Sequence, residues 1–153
     1  MPVEIERKFL VRDEAWRSLG EATYYCQGYL NSDSSNTVRI RIAGDAAMLT
    51  VKGPTRGTRR AEFEYEVPVA HAKQILELCK EPPVEKRRTK IPYEGFVWEV
   101  DEFLGANKGL ILAEVELETE DQQFAIPDWI GEEVTGDVRY YNSRLAKQPY
   151  STW

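Results

Sequence analysis

The stretch EIERKFLV, residues 4–11, places charged side chains at alternate positions near the start of the chain. Successive side chains of a β-strand point to opposite faces of its sheet, so Glu4, Glu6 and Lys8 would share one face and the apolar residues the other. A single strand of this kind is typical of a sheet with one solvated face. Whether that face is solvated or enclosed depends on the strands that follow.

Alternation of polar and apolar residues predicts eight strands along the chain. Turn sequences such as GPTRGTR and GANKG connect them and suit antiparallel neighbours. Amphipathic spacing predicts helices at 69–80 and 139–148, a short helix at 13–20 and a capped turn at Thr119. The predicted strands span residues 2–11, 24–31, 37–43, 47–53, 60–68, 84–92, 96–103 and 110–119.

The composition is that of one folded domain, which we expect to span residues 1–153. Hydrophobic residues make up 42% of the chain and charged residues 30%, and no apolar run is long enough to span a membrane. The net charge of −6 argues against nucleic-acid binding, which needs basic residues to neutralise phosphates. The polar N-terminal sequence is unlike a signal peptide, so we expect a cytoplasmic protein, monomeric or homodimeric.

Cysteine and histidine chemistry is not indicated by the sequence. Cys26 and Cys79 are far apart and show no metal-ligand spacing, and His71 is the single histidine, within a predicted helix. This pattern argues against a zinc site and against a Cys–His catalytic pair. Any candidate site must therefore come from the charged residues.

Acidic and basic residues are largely sorted onto different predicted strands, always on the polar face. An open sheet with its charged face in water would not require such sorting. A closed antiparallel sheet explains it, with polar side chains in the lumen and apolar ones outside beneath the helices. We therefore predict a mainly β (α+β) fold: an eight-stranded antiparallel β-barrel tunnel with a charged lumen and helices packed outside. The basic set is Arg39, Arg41, Lys52, Lys86 and Arg88, and the acidic set is Glu62, Glu64, Glu66, Glu99, Asp101, Glu114, Glu116 and Glu118.

A lumen lined by so many charges needs a ligand, because an unpaired buried ion costs several kcal/mol. The planar guanidinium of arginine suits phosphate oxygens. Clustered carboxylates suit Mg²⁺ or Mn²⁺, which prefer oxygen ligands. A polyphosphate carried with divalent cations would use both sets.

In this order and over nearly the whole chain, the sequence resembles the CYTH superfamily, also called triphosphate tunnel metalloenzymes, and is most similar to its short bacterial inorganic triphosphatases. An isolated Glu-x-Glu-x-Lys, as in Glu4, Glu6 and Lys8, would be a weak signal. Nine blocks in sequence are a strong one, and the others are QGYL, VRIR, LTVKG, EFEYEV, VEKRR, EVDEF, AEVELE and GEEVTGDVRYYN.

The resemblance implies that basic side chains hold a triphosphate and that carboxylates hold Mg²⁺ or Mn²⁺. It also implies that a tyrosine and lysine pair activates water, here Tyr29 and Lys86, although Tyr29 could equally be a lining residue that only forms hydrogen bonds. Glu66, Glu99 and Glu118 are expected to pair with bases or to lie at the tunnel mouth. The implied phosphate-binding residues are Lys8, Arg39, Arg41, Lys52, Lys86, Arg88 and Arg139, and the implied metal-binding residues are Glu4, Glu6, Glu62, Glu64, Asp101, Glu114 and Glu116.

The function implied first is metal-dependent hydrolysis of a triphosphate-containing small molecule, namely inorganic tripolyphosphate to pyrophosphate and phosphate. Three alternatives stay open from the sequence. A thiamine triphosphatase would need an aromatic residue at the tunnel entrance, for which Trp16, Trp129 or Trp153 are candidates. A class IV adenylate cyclase would need an adenine pocket, and a non-catalytic polyphosphate or nucleotide-binding protein would need only the cradle.

Overall fold

Nine strands and two α-helices make up the computed structural model, which describes residues 3–33 and 35–153. Residue 2, in the first predicted strand, and residue 34, in a predicted turn, lie outside the described residues. The elements in chain order are β1 (Val3–Val11), β2 (Ala22–Ser32), β3 (Thr37–Ala43), β4 (Ala46–Lys52), β5 (Arg59–Val67), α1 (Val69–Glu77), β6 (Val84–Tyr93), β7 (Phe96–Phe103), β8 (Ile111–Glu116), β9 (Ile130–Glu133) and α2 (Asn142–Lys147).

The first strand closes the sheet into a barrel. Along one edge β1 pairs antiparallel with β8, from Glu6 to Leu10. Its other edge is shared, because residues 3–5 pair with β5, whereas Phe9 and Val11, on either side of a register shift, pair with β9. The remaining barrel strands follow in the hydrogen-bonded order β5-β4-β3-β2-β6-β7-β8. The predicted eight-stranded antiparallel barrel is thus confirmed, and β9 is an addition to it.

The helices are shorter than predicted, for local reasons. The segment 13–20 forms one 3₁₀ turn, begun by a hydrogen bond from the Ala15 amide to the Asp13 carboxylate. The last helix begins at Asn142 rather than at residue 139, because the Asp137 side chain caps a separate 3₁₀ turn there. The longest helix within the described ranges has nine residues, and none there is long and apolar enough to cross a membrane.

Apolar side chains on the outer face of the barrel form two packed layers. One surrounds Trp98, which is fully buried and packs at a tilted angle against Phe9 and edge-on against Trp129. The other lies beneath α1, where Ile40 is fully buried. Helix α1 approaches β2 so closely that a Cβ at Gly28 would lie 2.9 Å from the Cys79 sulfur. Burial of these apolar surfaces favours the closed barrel.

The charged lumen fills only part of the barrel interior. At one end the interior positions are apolar and pack against Leu145 of α2, which is fully buried. These side chains share strand faces with the charged residues, since Phe103 is paired with Lys86 across β6 and β7. They close that end of the barrel, and we call them the apolar plug: Leu10, Val84, Phe103, Leu110, Leu112 and Leu145.

Candidate active site

A cavity of about 390 Å³ occupies the rest of the barrel interior. Each of the eight barrel strands contributes side chains to its wall, all on the faces that the polar alternation assigns to the interior. Charge therefore surrounds the cavity on every side. The charged residues of the wall are Glu4, Glu6, Lys8, Arg39, Arg41, Lys52, Arg60, Glu62, Glu64, Lys86, Arg88, Lys90, Glu99, Glu114 and Glu116.

Lys52 joins two carboxylates where β1, β4 and β5 meet. Its Nζ lies 2.9 Å from Glu4 Oε1 and 3.3 Å from Glu62 Oε2. Burial raises the pKa of Glu4 even though Lys52 opposes the shift, and Glu62 adds to it. One ammonium does not compensate both buried carboxylates.

A second group of charges lies along the pairing of β1 with β8. Burial, followed by the charges of Glu114 and Glu4, raises the pKa of Glu6 well above its usual range. Glu114 is the opposite case: burial is outweighed by cations, among them Lys8 at 3.6 Å, and its pKa is lowered. The raised pKa favours the protonated form of Glu6 beside Glu114, and a bound cation could replace that proton.

The carboxylates of the wall fit a divalent cation that keeps part of its hydration. Burial and the neighbouring carboxylates of Glu4 and Glu62 raise the pKa of Glu116 as well, so three acids of the wall, Glu4, Glu6 and Glu116, have raised pKa values. Within residues 3–33 and 35–153, no group of three acidic, histidine or cysteine side chains is arranged to hold an ion alone. Mg²⁺ commonly binds through one or two carboxylates, with waters and substrate phosphates as its other ligands.

Arg39 has a buried N–H group that an anionic oxygen could satisfy. Its side chain is buried, and its Nε has no hydrogen-bond partner among the described residues. Its Nη2 donates to Thr50 at 3.2 Å. Leaving a buried N–H unsatisfied costs free energy, so a phosphate oxygen in the cavity would complete this guanidinium. Nearby, burial together with Arg39 and Arg88 lowers the pKa of Arg41 to about 10, a sign of uncompensated positive charge.

Asp101 lies behind the cavity wall rather than on it. Its two oxygens accept from Arg88 Nε and Nη2 at 2.7 and 2.8 Å, and Lys86 Nζ is 2.7 Å away. Although burial opposes its ionisation, Arg88 and Lys86 lower its pKa. Its oxygens are occupied by cationic side chains, so its position is that of a support for Lys86 and Arg88, which differs from the metal-binding role expected from the sequence.

Lys86 is a buried amine above the apolar plug. Burial lowers its pKa to about 7, assisted by Arg88 and Arg41 and opposed by Asp101. Its Nζ also donates to Asn142 Oδ1 at 3.0 Å. An amine with this pKa exchanges a proton near neutral pH, which is the property required of a general acid or base.

Tyr29 and Lys86 both line the cavity, but they do not face each other across β2 and β6. The cross-strand partner of Lys86 is Tyr25, whose ring centroid is 6.0 Å from Nζ. Tyr29 lies four residues further along β2 and is connected to Lys86 through the amide side chains of Gln27 and Asn142. The structure therefore joins the predicted pair indirectly.

Two other predictions are placed outside the cavity wall. Arg139 is exposed and forms an ion pair with Asp137 at 2.8 Å, two residues earlier in the chain. Glu66 and Glu118 are exposed as well. Five further residues of the wall were not predicted from the sequence. Four of them lie on the same strand faces as predicted residues, so strand parity could have identified them: Tyr25, Thr37, Arg60 and Lys90. The fifth is Asn142.

The CYTH domain model matches residues 2–147. The chain therefore belongs to the CYTH family, whose tunnel-like barrel agrees with the fold and charged interior described above. It is 53% identical to the inorganic triphosphatase of Acetivibrio thermocellus, over 100% of this chain and 99% of that protein.

Two further comparisons point to the same class of protein. The chain is 38% identical to the inorganic triphosphatase of Nitrosomonas europaea, over 94% of this chain and 96% of the relative. A crystal structure described as that of an inorganic triphosphatase superposes with a TM-score of 0.65 at 36% identity, covering 95% of each chain. These likenesses extend over the barrel as a whole and are not confined to one motif.

Proposed function

We propose that this protein is a metal-dependent triphosphatase that hydrolyses inorganic tripolyphosphate to pyrophosphate and phosphate. The observation that carries the proposal is a single cavity wall that holds both a guanidinium of lowered pKa, Arg41, and carboxylates of raised pKa, Glu6 and Glu116. A polyanion accompanied by divalent cations supplies both missing charges. The two curated relatives and the solved structure, all described as inorganic triphosphatases, support the same conclusion.

In the proposed reaction, the basic side chains bind the triphosphate and orient its terminal phosphorus. Arg39 and Arg41 receive phosphate oxygens, and Lys8 and Lys52 balance the carboxylates beside them. A water oxygen forms a bond to the terminal phosphorus, and the bond from that phosphorus to the bridging oxygen breaks. Its electron pair leaves with pyrophosphate, and the attacking water gives up a proton. Lys86 in its neutral form can accept that proton.

The bound cation is proposed to be Mg²⁺ or Mn²⁺, held by Glu4, Glu6, Glu114 and Glu116 directly or through its waters. Such a cation would neutralise charge on the phosphate oxygens during transfer. The chain's own contribution is to place these carboxylates on one wall of the cavity. Glu62 and Glu64 are further members of the same wall.

The three tryptophans considered for stacking on an organic group do not line the cavity. Trp16 and Trp129, which could have stacked on a thiazole or adenine ring, are buried in the outer layer around Trp98. Trp153 packs instead against Tyr140 and Tyr150. We therefore expect thiamine triphosphate and ATP to be poorer substrates than tripolyphosphate.

The test is phosphate release from tripolyphosphate, thiamine triphosphate and ATP in parallel, with Mg²⁺ or Mn²⁺ and with excess EDTA. We expect tripolyphosphate to give the highest kcat/KM and EDTA to abolish turnover. Full activity in EDTA would contradict the metal requirement. Tight binding of tripolyphosphate without phosphate release would instead identify a non-catalytic binding protein.

A further inference from the structure

We infer that Gln27 is a positioning residue for hydrolysis, because its amide sets the direction of the hydrogen bonds made by both Tyr29 and Lys86. The inference rests on the proposed function, since it assigns a role within the same cavity. Gln27 lies on the interior face of β2 and is fully buried. It has no catalytic chemistry of its own, and its effect is exerted through its neighbours.

The orientation of the Gln27 amide is fixed by Arg41. Arg41 Nε lies 2.8 Å from Gln27 Oε1. A guanidinium N–H can only donate, so the atom facing it must be the amide oxygen. The other end of the amide is then the NH₂ group, with two protons to donate. No rotation of the amide by half a turn can satisfy Arg41.

The NH₂ group of Gln27 makes the Tyr29 hydroxyl an acceptor. Gln27 Nε2 lies 2.9 Å from the Tyr29 oxygen. Since the Tyr29 oxygen accepts a hydrogen bond from Gln27, the hydroxyl proton of Tyr29 must point elsewhere. We infer that it points into the cavity, which Tyr29 lines. Tyr29 is thereby presented to a bound phosphate as a hydrogen-bond donor.

The second N–H of Gln27 orients Asn142 and, through it, Lys86. Gln27 Nε2 lies 3.1 Å from Asn142 Oδ1, and that oxygen also accepts from Lys86 Nζ at 3.0 Å. The other partner of Lys86 is the carboxylate of Asp101, which accepts as well. Two of the tetrahedral positions around Nζ are thus committed to acceptors behind the wall.

A single position of Lys86 Nζ then remains for the cavity. In the charged form it carries an N–H directed at the substrate, and in the neutral form it carries the lone pair. The Gln27 amide therefore leaves one proton-transfer position on Tyr29 and one on Lys86, both facing the phosphate. Because Gln27 uses its oxygen and both amide protons in this arrangement and is excluded from water, the arrangement has no competing hydrogen-bond pattern.

The test is a double-mutant cycle between Gln27→Met and Tyr29→Phe, with steady-state kinetics on tripolyphosphate at saturating Mg²⁺. Methionine keeps the length of glutamine and adds no charge to an anion-binding cavity. We expect Gln27→Met to lower kcat by about 10²-fold, the lower end of what a positioned acid or base contributes, with little change in KM. In the Tyr29→Phe background its effect on kcat should be smaller, and what remains is the part exerted on Lys86 through Asn142.

Gln27→Glu separates the donor role from a simple contact with Arg41. The carboxylate keeps an acceptor for Arg41 but removes both N–H donors. We expect its kcat to be as low as that of Gln27→Met. Recovery of kcat in Gln27→Glu would overturn the inference, as would effects of Gln27→Met and Tyr29→Phe that multiply. Gln74→Met, at an exposed glutamine of α1, is the matched control and should leave both constants unchanged.

A folding defect is detected by thermal unfolding, and a second variant covers it. Asn142→Leu interrupts the same connection at the start of α2, where the residue is only partly buried. It should lower kcat, and more weakly so in the Gln27→Met background, because both residues act on Lys86 through the same connection. Failure of the unaltered chain to release phosphate would overturn the proposed function together with this inference. Turnover by the unaltered chain with multiplicative effects in both cycles would overturn this inference alone.

Discussion

At the scale of single residues, the cavity is defined by charges that the chain itself does not neutralise. Glu6 shows this most clearly, because burial, Glu114 and Glu4 all act to keep its proton on. The proposed cation would have to displace that proton, so its occupancy is expected to rise with pH. The residue is thus an indicator both of the cation and of the pH at which it binds.

Replacing Glu6 by glutamine removes the anion and retains the shape. We expect Glu6→Gln to lower kcat/KM for tripolyphosphate with Mg²⁺ by at least roughly 10–100-fold, which is the usual cost of replacing a residue that hydrogen-bonds to a metal ligand. Phosphate-release kinetics measure the effect. Glu66→Gln, at an exposed glutamate of β5 outside the cavity wall, is the control, and an equal loss there would show a general charge effect instead.

The same substitution predicts a pH-dependent change in stability. Because its pKa is raised on folding, Glu6 favours the folded state below about pH 4.5, and this contribution is lost as pH rises through the raised pKa. Glutamine stays neutral at every pH. In EDTA, Glu6→Gln should therefore raise Tm relative to the parent chain at neutral pH, and by less as the pH is lowered towards 4.5. A difference in Tm that shrinks with rising pH would contradict the assignment.

Lys86 predicts the pH dependence of turnover. Its pKa of about 7 lies below the value of 10.5 for an ordinary lysine, so it becomes neutral as pH rises through about 7. If the neutral amine accepts the proton of water, kcat should rise over that range. Lys86→Arg, which stays charged, should lack this rise. A pH profile unchanged by the substitution would assign the proton transfer to another group.

At the scale of elements, strand parity explains why so much of the site was predictable. Alternation is a property of each strand alone, so Arg39 and Glu114 could be assigned to the interior without knowledge of their neighbours. The order of strands is not local and cannot be read from alternation. The four residues of β9 are too few to show a period. Alternation assigns a residue to the interior face but does not show where along the barrel the apolar plug begins. Asn142 enters the site from a helix start, which parity cannot reveal.

Arg139 matches the family motif, but a local ion pair holds its side chain away from the cavity wall. Asp137 accepts from both the amide and the guanidinium of Arg139, and this pairing holds the side chain at the surface. Tyr29 and Lys86, expected to act on water as a pair, are also not cross-strand neighbours. Register decides this, because Tyr25 rather than Tyr29 lies opposite Lys86.

The seat of α1 on the barrel depends on Gly28. A Cβ there would lie 2.9 Å from the Cys79 sulfur and 3.0 Å from Leu76 Cδ2, closer than packed atoms normally lie. We expect Gly28→Ala to lower the free energy of unfolding by about 1–3 kcal/mol, the usual cost of overpacking. Urea unfolding measures it. Gly53→Ala is the control, because its Cβ would meet only an ordinary contact at 3.5 Å, and equal losses would argue against tight packing at Gly28.

At the scale of the whole molecule, the cavity brings together like charges whose repulsion bound ligands should relieve. Mg²⁺ with tripolyphosphate should therefore raise Tm, by an amount equivalent to about 2.7 kcal/mol at a ligand concentration 100 times Kd. Differential scanning fluorimetry with and without EDTA measures the shift. The shift should be strongly reduced in Glu6→Gln, and an undiminished shift there would place the cation elsewhere.

The shared edge of β1 has a consequence for the order in which the molecule can be assembled. This strand is the earliest in the chain, yet it pairs with β5, β8 and β9, so its partners lie roughly fifty to more than a hundred residues downstream. Contacts this distant in sequence make folding slow, because a large loop must be closed before they form. During synthesis, Glu6 and Lys8 remain without their cross-strand partners Glu116 and Glu114 until β8 has left the ribosome. Hydrolytic competence is therefore among the last properties that a growing chain acquires.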